Sequence, residues 1–229
     1  AKGGGAVVVF GSMIFVTARC IFFHNAANVS GDAIYIINSN TTFINSTFEN
    51  NKAFEANGGC ICLKDNKTQI LKSYFYKNYA KKGGAVHFLK GKMAAVFLSI
   101  FVDNKALEWG GSISTNKLTY LYQKKGEFKQ NEADLGGTLF LRETETCINI
   151  HTAFIHNRAI TSGGALYLYF VHKMENKATR FLSNQASVNG GVVYCAMLLF
   201  LYNIDSIFEK NLSVKHGGVI YGNRVLHIY

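Results

Sequence analysis

The chain has 229 residues, 48% of them hydrophobic and only 17% charged, where ordinary domains carry about 25% charged residues. Such a chain can bury a sizeable core, and its composition excludes a disordered segment or a long charged helix. Proline is absent, the net charge is +10, and five cysteines (Cys20, Cys60, Cys62, Cys147 and Cys195) are too few for a disulfide-dense scaffold.

In chain order, the first predicted element is the end of a repeat unit, Gly4–Gly5 followed by the apolar run "AVVVF". Phe22–Asn25 then opens the first full copy of F-x-x-N, with Ala27 two residues later and Gly31–Asp32 where the other copies have two glycines. The following copies are Phe48–Asn51 with Ala53 and Gly58–Gly59, Phe75–Asn78 with Ala80 and Gly83–Gly84, and Phe101–Asn104 with Ala106 and Gly110–Gly111. Next come Phe128–Asn131 with Ala133 and Gly136–Gly137, and Phe154–Asn157 with Ala159 and Gly163–Gly164. Phe181–Asn184 with Ala186 and Gly190–Gly191, and Phe208–Asn211 with Ser213 and Gly217–Gly218, complete the series. The Phe spacings are 26, 27, 26, 27, 26, 27 and 27. That period is shorter than the 34 residues of a common helix–turn–helix array, and helical periodicity is missing inside it. Each glycine pair is followed by a β-rich alternation such as "AVHF" or "ALYL", and each Phe is preceded by another.

Short strands and turns repeated in register predict an all-β fold, a parallel β-helix (β-solenoid) of about eight to nine coils and about 40 Å length at a coil spacing of about 4.8 Å. It is expected to form one repeat domain over residues 1–229. Because the pattern is cut at both ends, the chain is expected to be a section of a longer protein. Equivalent residues of such a rod stack above one another. The Phe column is predicted to fill the core. Asn25, Asn51, Asn78, Asn104, Asn131, Asn157, Asn184 and Asn211 are predicted to form an internal amide ladder. The small residues two places before each Phe (Cys20, Ser46, Ser73, Ser99, Gly126, Thr152, Thr179 and Ser206) make room beside the rings, and the Ala and Gly columns turn the corner.

Three places after the first Gly of each pair the column is always aliphatic, from Val7 to Ile220, and is expected to face inward. The next residue of each copy then faces outward. That column contains Val8, Tyr35, Cys62, His87, Ser114, Phe140, Tyr167, Tyr194 and Tyr221. Its last four members form an unbroken aromatic stripe, and Cys62 is expected to be accessible. The stripe can be a contact surface for sugars, a protein partner or a second solenoid. It can equally serve only to stabilise its coil-to-coil neighbours.

Five N-x-S/T sequons occur, at Asn28, Asn40, Asn45, Asn66 and Asn211. Asn28 and Asn66 fall in predicted turns and are the best glycan acceptors, whereas Asn211 belongs to the ladder. Lys and Arg are scattered, without a nucleic-acid-binding signature, so no nucleic-acid partner is expected. No apolar run reaches the length of a membrane span; the longest is Val192–Tyr202. Solenoid enzymes acting on acidic polysaccharides set carboxylates on one outer face, but Asp65, Asp103, Asp134 and Asp205 share no coil position. The seven histidines have no metal spacing, Cys60 and Cys62 form C-x-C without a second pair, and no phosphate loop is present, so no cofactor or metal is expected.

F-x-x-N joined to "GGAV", "GGSI", "GGTL" or "GGAL" resembles the repeat of the chlamydial polymorphic membrane proteins and similar adhesin-like β-helix proteins. The resemblance covers the whole chain, with F-x-x-N kept in all eight copies. It implies a right-handed β-helix, in keeping with the hand of parallel crossovers, exposed at the cell surface and engaged in adhesion. The expected function is a non-enzymatic, extracellular or cell-surface structural and adhesive module whose partners are proteins, glycans or further copies of itself. The alternatives are a subunit of an extracellular filament or matrix, and a polysaccharide-active lyase or hydrolase.

Overall fold

In the computed structural model, residues 5–11, 14–27, 33–54 and 58–229 are described. They form a β-solenoid of about eight turns, built only from parallel strands and short corners. Three sheets run the length of the rod, one of eleven strands and two of eight. The largest sheet, sheet A, contains the segment that follows each glycine pair. In the middle coils this is a twelve-residue strand, as in Val86–Phe97, Ile113–Lys124, Leu139–Ile150 and Leu166–Lys177. Sheet B is built from the three-residue strands centred on the motif Phe, such as Ile100–Val102, and sheet C from the strands around the Ala column, such as Lys105–Trp109.

The register is that of the sequence repeat. Phe22 pairs with Phe48, then Phe75, Phe101, Phe128, Phe154, Phe181 and Phe208. Their rings stack nearly parallel, 4.4 to 5.1 Å apart. The strand spacing imposes that separation, and burying each ring contributes about 1.5–3 kcal/mol. The Asn column is a continuous ladder. Asn78 Nδ2 donates to Asn104 Oδ1 (2.9 Å) and to the Phe48 carbonyl (2.9 Å), while its backbone N–H also donates to Asn104 Oδ1 (3.1 Å). The side-chain step recurs from Asn25 to Asn211. Each interior amide thereby serves the preceding coil and the next, and its polar atoms are paired without water.

The small column before each Phe does more than leave room. Ser46, Ser73, Ser99 and Ser206 accept hydrogen bonds at Oγ from the backbone N–H of the coil before, at Cys20, Ser46, Ser73 and Thr179. A second amide ladder was not foreseen: Asn149 Nδ2 donates to Asn176 Oδ1, and Asn176 Nδ2 to Asn203 Oδ1, both at 2.9 Å.

The corners are left-handed turns at residues that are mostly not glycine. The residue before each motif Asn, from His24 to Lys210, has φ between 53° and 55°. The residue three places before each Phe, from Arg19 to Asp205, repeats the device, and a third such residue bends the long strands at Lys90, Lys117, Glu143, Phe170 and Met197. Each costs about 1–2 kcal/mol relative to glycine. The glycine pair has a different cause. Its first member has φ above 60°, and a Cβ on the second would meet the carbonyl oxygen of the next coil's glycine, at 2.2 Å for Gly111. The alternation of 26 and 27 residues is absorbed just ahead of this pair, where sheet C changes register between Ala80 and Lys82 and again between Ala133 and Leu135.

Candidate functional site

The column from Val8 to Tyr221 is in register as expected. Its exposure is not as expected. Cys62 and His87 are 3% exposed and Phe140 4%, and Ser114 is fully buried, while Tyr35, Tyr167, Tyr194 and Tyr221 are half-buried. Strand alternation points these side chains out of the core, but they enter the crook where the glycine-pair corner folds back towards sheet A. A Cβ at Gly83 would lie 2.8 Å from Ser114 Oγ, and one at Gly136 would lie 3.1 Å from Tyr167 Cβ. Trp109, directly ahead of a glycine pair, lies flat on Phe140 at 4.7 Å, and Lys82 Nζ sits over the Trp109 ring at 3.6 Å. His87, Phe140 and Cys62 are therefore corrected from surface residues to a buried layer.

The aromatic stripe becomes a ladder one ring longer than the sequence suggested. From Trp109 it continues Phe140–Tyr167 (5.1 Å), Tyr167–Tyr194 (4.6 Å) and Tyr194–Tyr221 (5.4 Å), all nearly parallel. Phe140, Tyr167 and Tyr194 thus have a ring against each face. A sugar ring needs a free aromatic face, so only ring edges and hydroxyls remain available to a ligand. The Tyr167 hydroxyl is pushed up to about pKa 12, first by burial and then by Tyr194 and Tyr169. Trp109 was missed because its strand belongs to another sheet; its signal was position, as the chain's single Trp immediately before Gly110–Gly111.

Beside this ladder runs a groove of about 230 Å³ lined by Trp109, Leu135, Phe140, Arg142, Tyr167 and Tyr169. The Arg142 guanidinium lies 5.8 Å over the Tyr169 ring, and its Nε meets Glu143 Oε1 at 3.2 Å. The groove therefore combines aromatic edges with a positive charge on its rim. It can take an anionic or hydroxyl-rich group by hydrogen bonding at its edge.

The polar members of the column pair with each other. His87 Nδ1 and Ser114 Oγ are 2.6 Å apart, both buried. Burial, helped by Lys82, lowers the His87 pKa to about 3. The Cys62 thiol is pushed up to about 12 by burial, and so is Cys195. A neutral imidazole beside a hydroxyl with no access to solvent holds the column in place and does not reach a substrate. None of the five cysteines is joined in a disulfide. Among the described residues no three His, Cys, Asp or Glu side chains gather as a metal site, and no helix is long and apolar enough to cross a membrane. Asp65, Asp103 and Asp205 occupy left-handed corners of the coils, and Asp134 accepts a hydrogen bond from Thr161. Of the two favoured glycan acceptors, Asn28 lies outside the described residues. So does the side chain of Asn66, whose backbone follows the bend at Asp65 inside the strand Ile61–Leu71.

No protein-family model and no solved structure matches the chain. Over 105 residues, 44% of this chain, it is similar at 38% identity to metabotropic glutamate receptor-like protein R of Dictyostelium discoideum. The chain spans 6% of that protein's length.

Proposed function

We propose that the chain is a non-enzymatic structural and adhesive β-helix module that works outside the cell or at its surface. The observation that supports this most is where its reactive and sticky side chains go. The amides hydrogen-bond to amides of the next coil, the rings of the aromatic column stack on rings, and the His87–Ser114 pair is sealed. A rod built this way presents a regular surface without committing side chains to bond-making. Its accessible feature beside the ladder is the groove at Arg142, Tyr167 and Tyr169. The likeness of F-x-x-N and G-G-A-[IVL] to surface-exposed adhesin repeats supports the same reading. Its partners are proteins or glycans with anionic or hydroxyl-rich groups that fit the groove's rim.

The test is adhesion of beads coated with the chain to a panel of cells and extracellular polymers. Wild-type beads bind, and Arg142→Ala with Tyr169→Ala lowers bound beads about tenfold, the scale of losing one charge-assisted contact, with an unchanged melting curve. Wild-type beads that bind nothing in the panel overturn adhesion. Release of unsaturated or reducing sugar ends from uronic-acid polymers overturns the non-enzymatic part.

A further inference from the structure

The bend in the long strands of sheet A leaves clefts along the rod, and their chemistry changes from coil to coil. Around Lys117, Thr119, Glu143 and Glu145 the cleft holds about 130 Å³ and is polar, with Lys117 Nζ paired to Glu143 Oε2 at 3.4 Å. In the next three coils it holds about 400 Å³, within the range of small-molecule sites. Val171 and Leu198 form its buried floor, with Phe170 and Met197 on one rim and Leu199 and Leu226 on the other. His172 and Arg224 mark its two ends. The first rim is built against local preference. The bend residue is left-handed in every coil, and it is glycine or polar from Gly11 to Glu143. Phe170 (φ 55°) and Met197 (φ 62°) instead hold large apolar side chains there, exposed to water. A left-handed backbone is costly for any side chain, and an apolar group left in water gains nothing from folding. Costs of this kind gather at ligand clamps.

We propose that this cleft binds a medium-chain carboxylate, with its unbranched tail along Phe170, Met197 and Leu199 and its carboxylate on Arg224. Charge selects the head group. Among the described residues no carboxylate is ion-paired with Arg224, whereas Lys117, at the same bend position of an earlier coil, already has Glu143. A guanidinium offers a fork that matches a carboxylate, and the net charge of +10 draws anions to the chain. Length selects the tail. Phe170 and Arg224 stand two coils apart, about 10 Å at the strand spacing. An extended chain advances about 1.2 Å per bond, which gives a tail of about eight to ten carbons. The lining rejects other classes. A sugar would leave hydroxyls unpaired against Met197 and Leu199. An extended peptide would find no ladder to join, because the floor strands already pair from coil to coil through Thr144, Val171, Leu198 and Val225. The cleft shares no lining residue with the Arg142 groove, so the proposal stands or falls independently of adhesion.

Isothermal titration of the whole chain with sodium decanoate at pH 7.5 tests it. Decanoate is expected to bind saturably at a single site. Hexanoate, four methylenes shorter, is expected to bind about 100-fold more weakly. Neutral decanol is expected to bind about tenfold more weakly, the scale of one charge-assisted contact. Arg224→Ala is expected to weaken decanoate by that same factor and to leave decanol unchanged. Met197→Glu is expected to abolish binding with an unchanged urea midpoint, since the same bend position accepts Glu143 in an earlier coil. Should that variant not fold, Leu226→Glu on the exposed rim gives the same readout. Absence of saturable decanoate binding up to about 1 mM overturns the proposal. So does binding that survives in the folded rim variants, or that Arg224→Ala leaves unchanged. A chain that floats with anionic phospholipid vesicles and takes no free decanoate also overturns it, because the cleft then holds an acyl chain of a membrane lipid.

Discussion

His87 sits on the outward side of its strand and is nevertheless sealed, with Ser114 on its Nδ1 and Lys82 nearby. The cost is pH dependence. The unfolded chain protonates this imidazole near its ordinary value of about 6.5, whereas the folded chain resists until about 3. Between those values the unfolded state binds more protons, so stability is fully present above about pH 6.5 and falls with acidification by up to about 1.4 kcal/mol per pH unit. Replacing the imidazole removes the effect. Urea unfolding at pH 7.5 and 4.5 should show the wild type losing about 2 kcal/mol more than His87→Phe between the two pH values. Equal losses would mean that His87 is hydrated and titrates normally in the folded state.

At the scale of the repeated element, the Asn ladder should outweigh its neighbours. Removing the Asn104 side chain strips the acceptor from Asn78 N–H and Asn78 Nδ2 and the donor from the Phe75 carbonyl, all in the dry interior. Leaving such groups unpaired costs about 1–3 kcal/mol each, so Asn104→Ala should lose about 3–5 kcal/mol. Asn211 closes the series and is partly exposed, so Asn211→Ala should lose about half as much by urea denaturation. Equal effects at the two sites would show that the rungs act singly and not as a buried network. This ladder was legible in the sequence because all eight copies keep the Asn. The second ladder was not: its column reads Thr17, Phe43, Ile70 and Val96 before it turns to Gln123, Asn149, Asn176 and Asn203, so no motif announces it. The contact column was half legible. Alternation told which side of the strand Tyr35, His87, Phe140 and Tyr167 occupy, but not what covers that side. The cover comes from Trp109 and the glycine corners, which belong to another strand and the neighbouring coil.

For the whole molecule, stacking makes each coil depend on its two neighbours and on little else. Strand contacts link equivalent strands of successive coils, and the same pairs recur from one end to the other. A coil is then a removable unit, provided that the cut respects the register. Thr138 is the equivalent of Ala165, and Leu139 pairs with Leu166, so deleting residues 139–165 joins one coil end to the next coil start without shifting a column. The shortened chain should fold with the same circular dichroism per residue. Its urea m-value should fall by about an eighth, in proportion to the 27 of 229 residues lost. Deleting residues 139–151 removes only half a coil. It sets Thr152, from the corner ahead of sheet B, where Leu139 begins a strand of sheet A, so the Phe and Asn columns can no longer continue across the junction. That chain should lose its cooperative transition. If both deletions behave alike, the coils are not independent stacking units, and stability resides in contacts that span more than one neighbour.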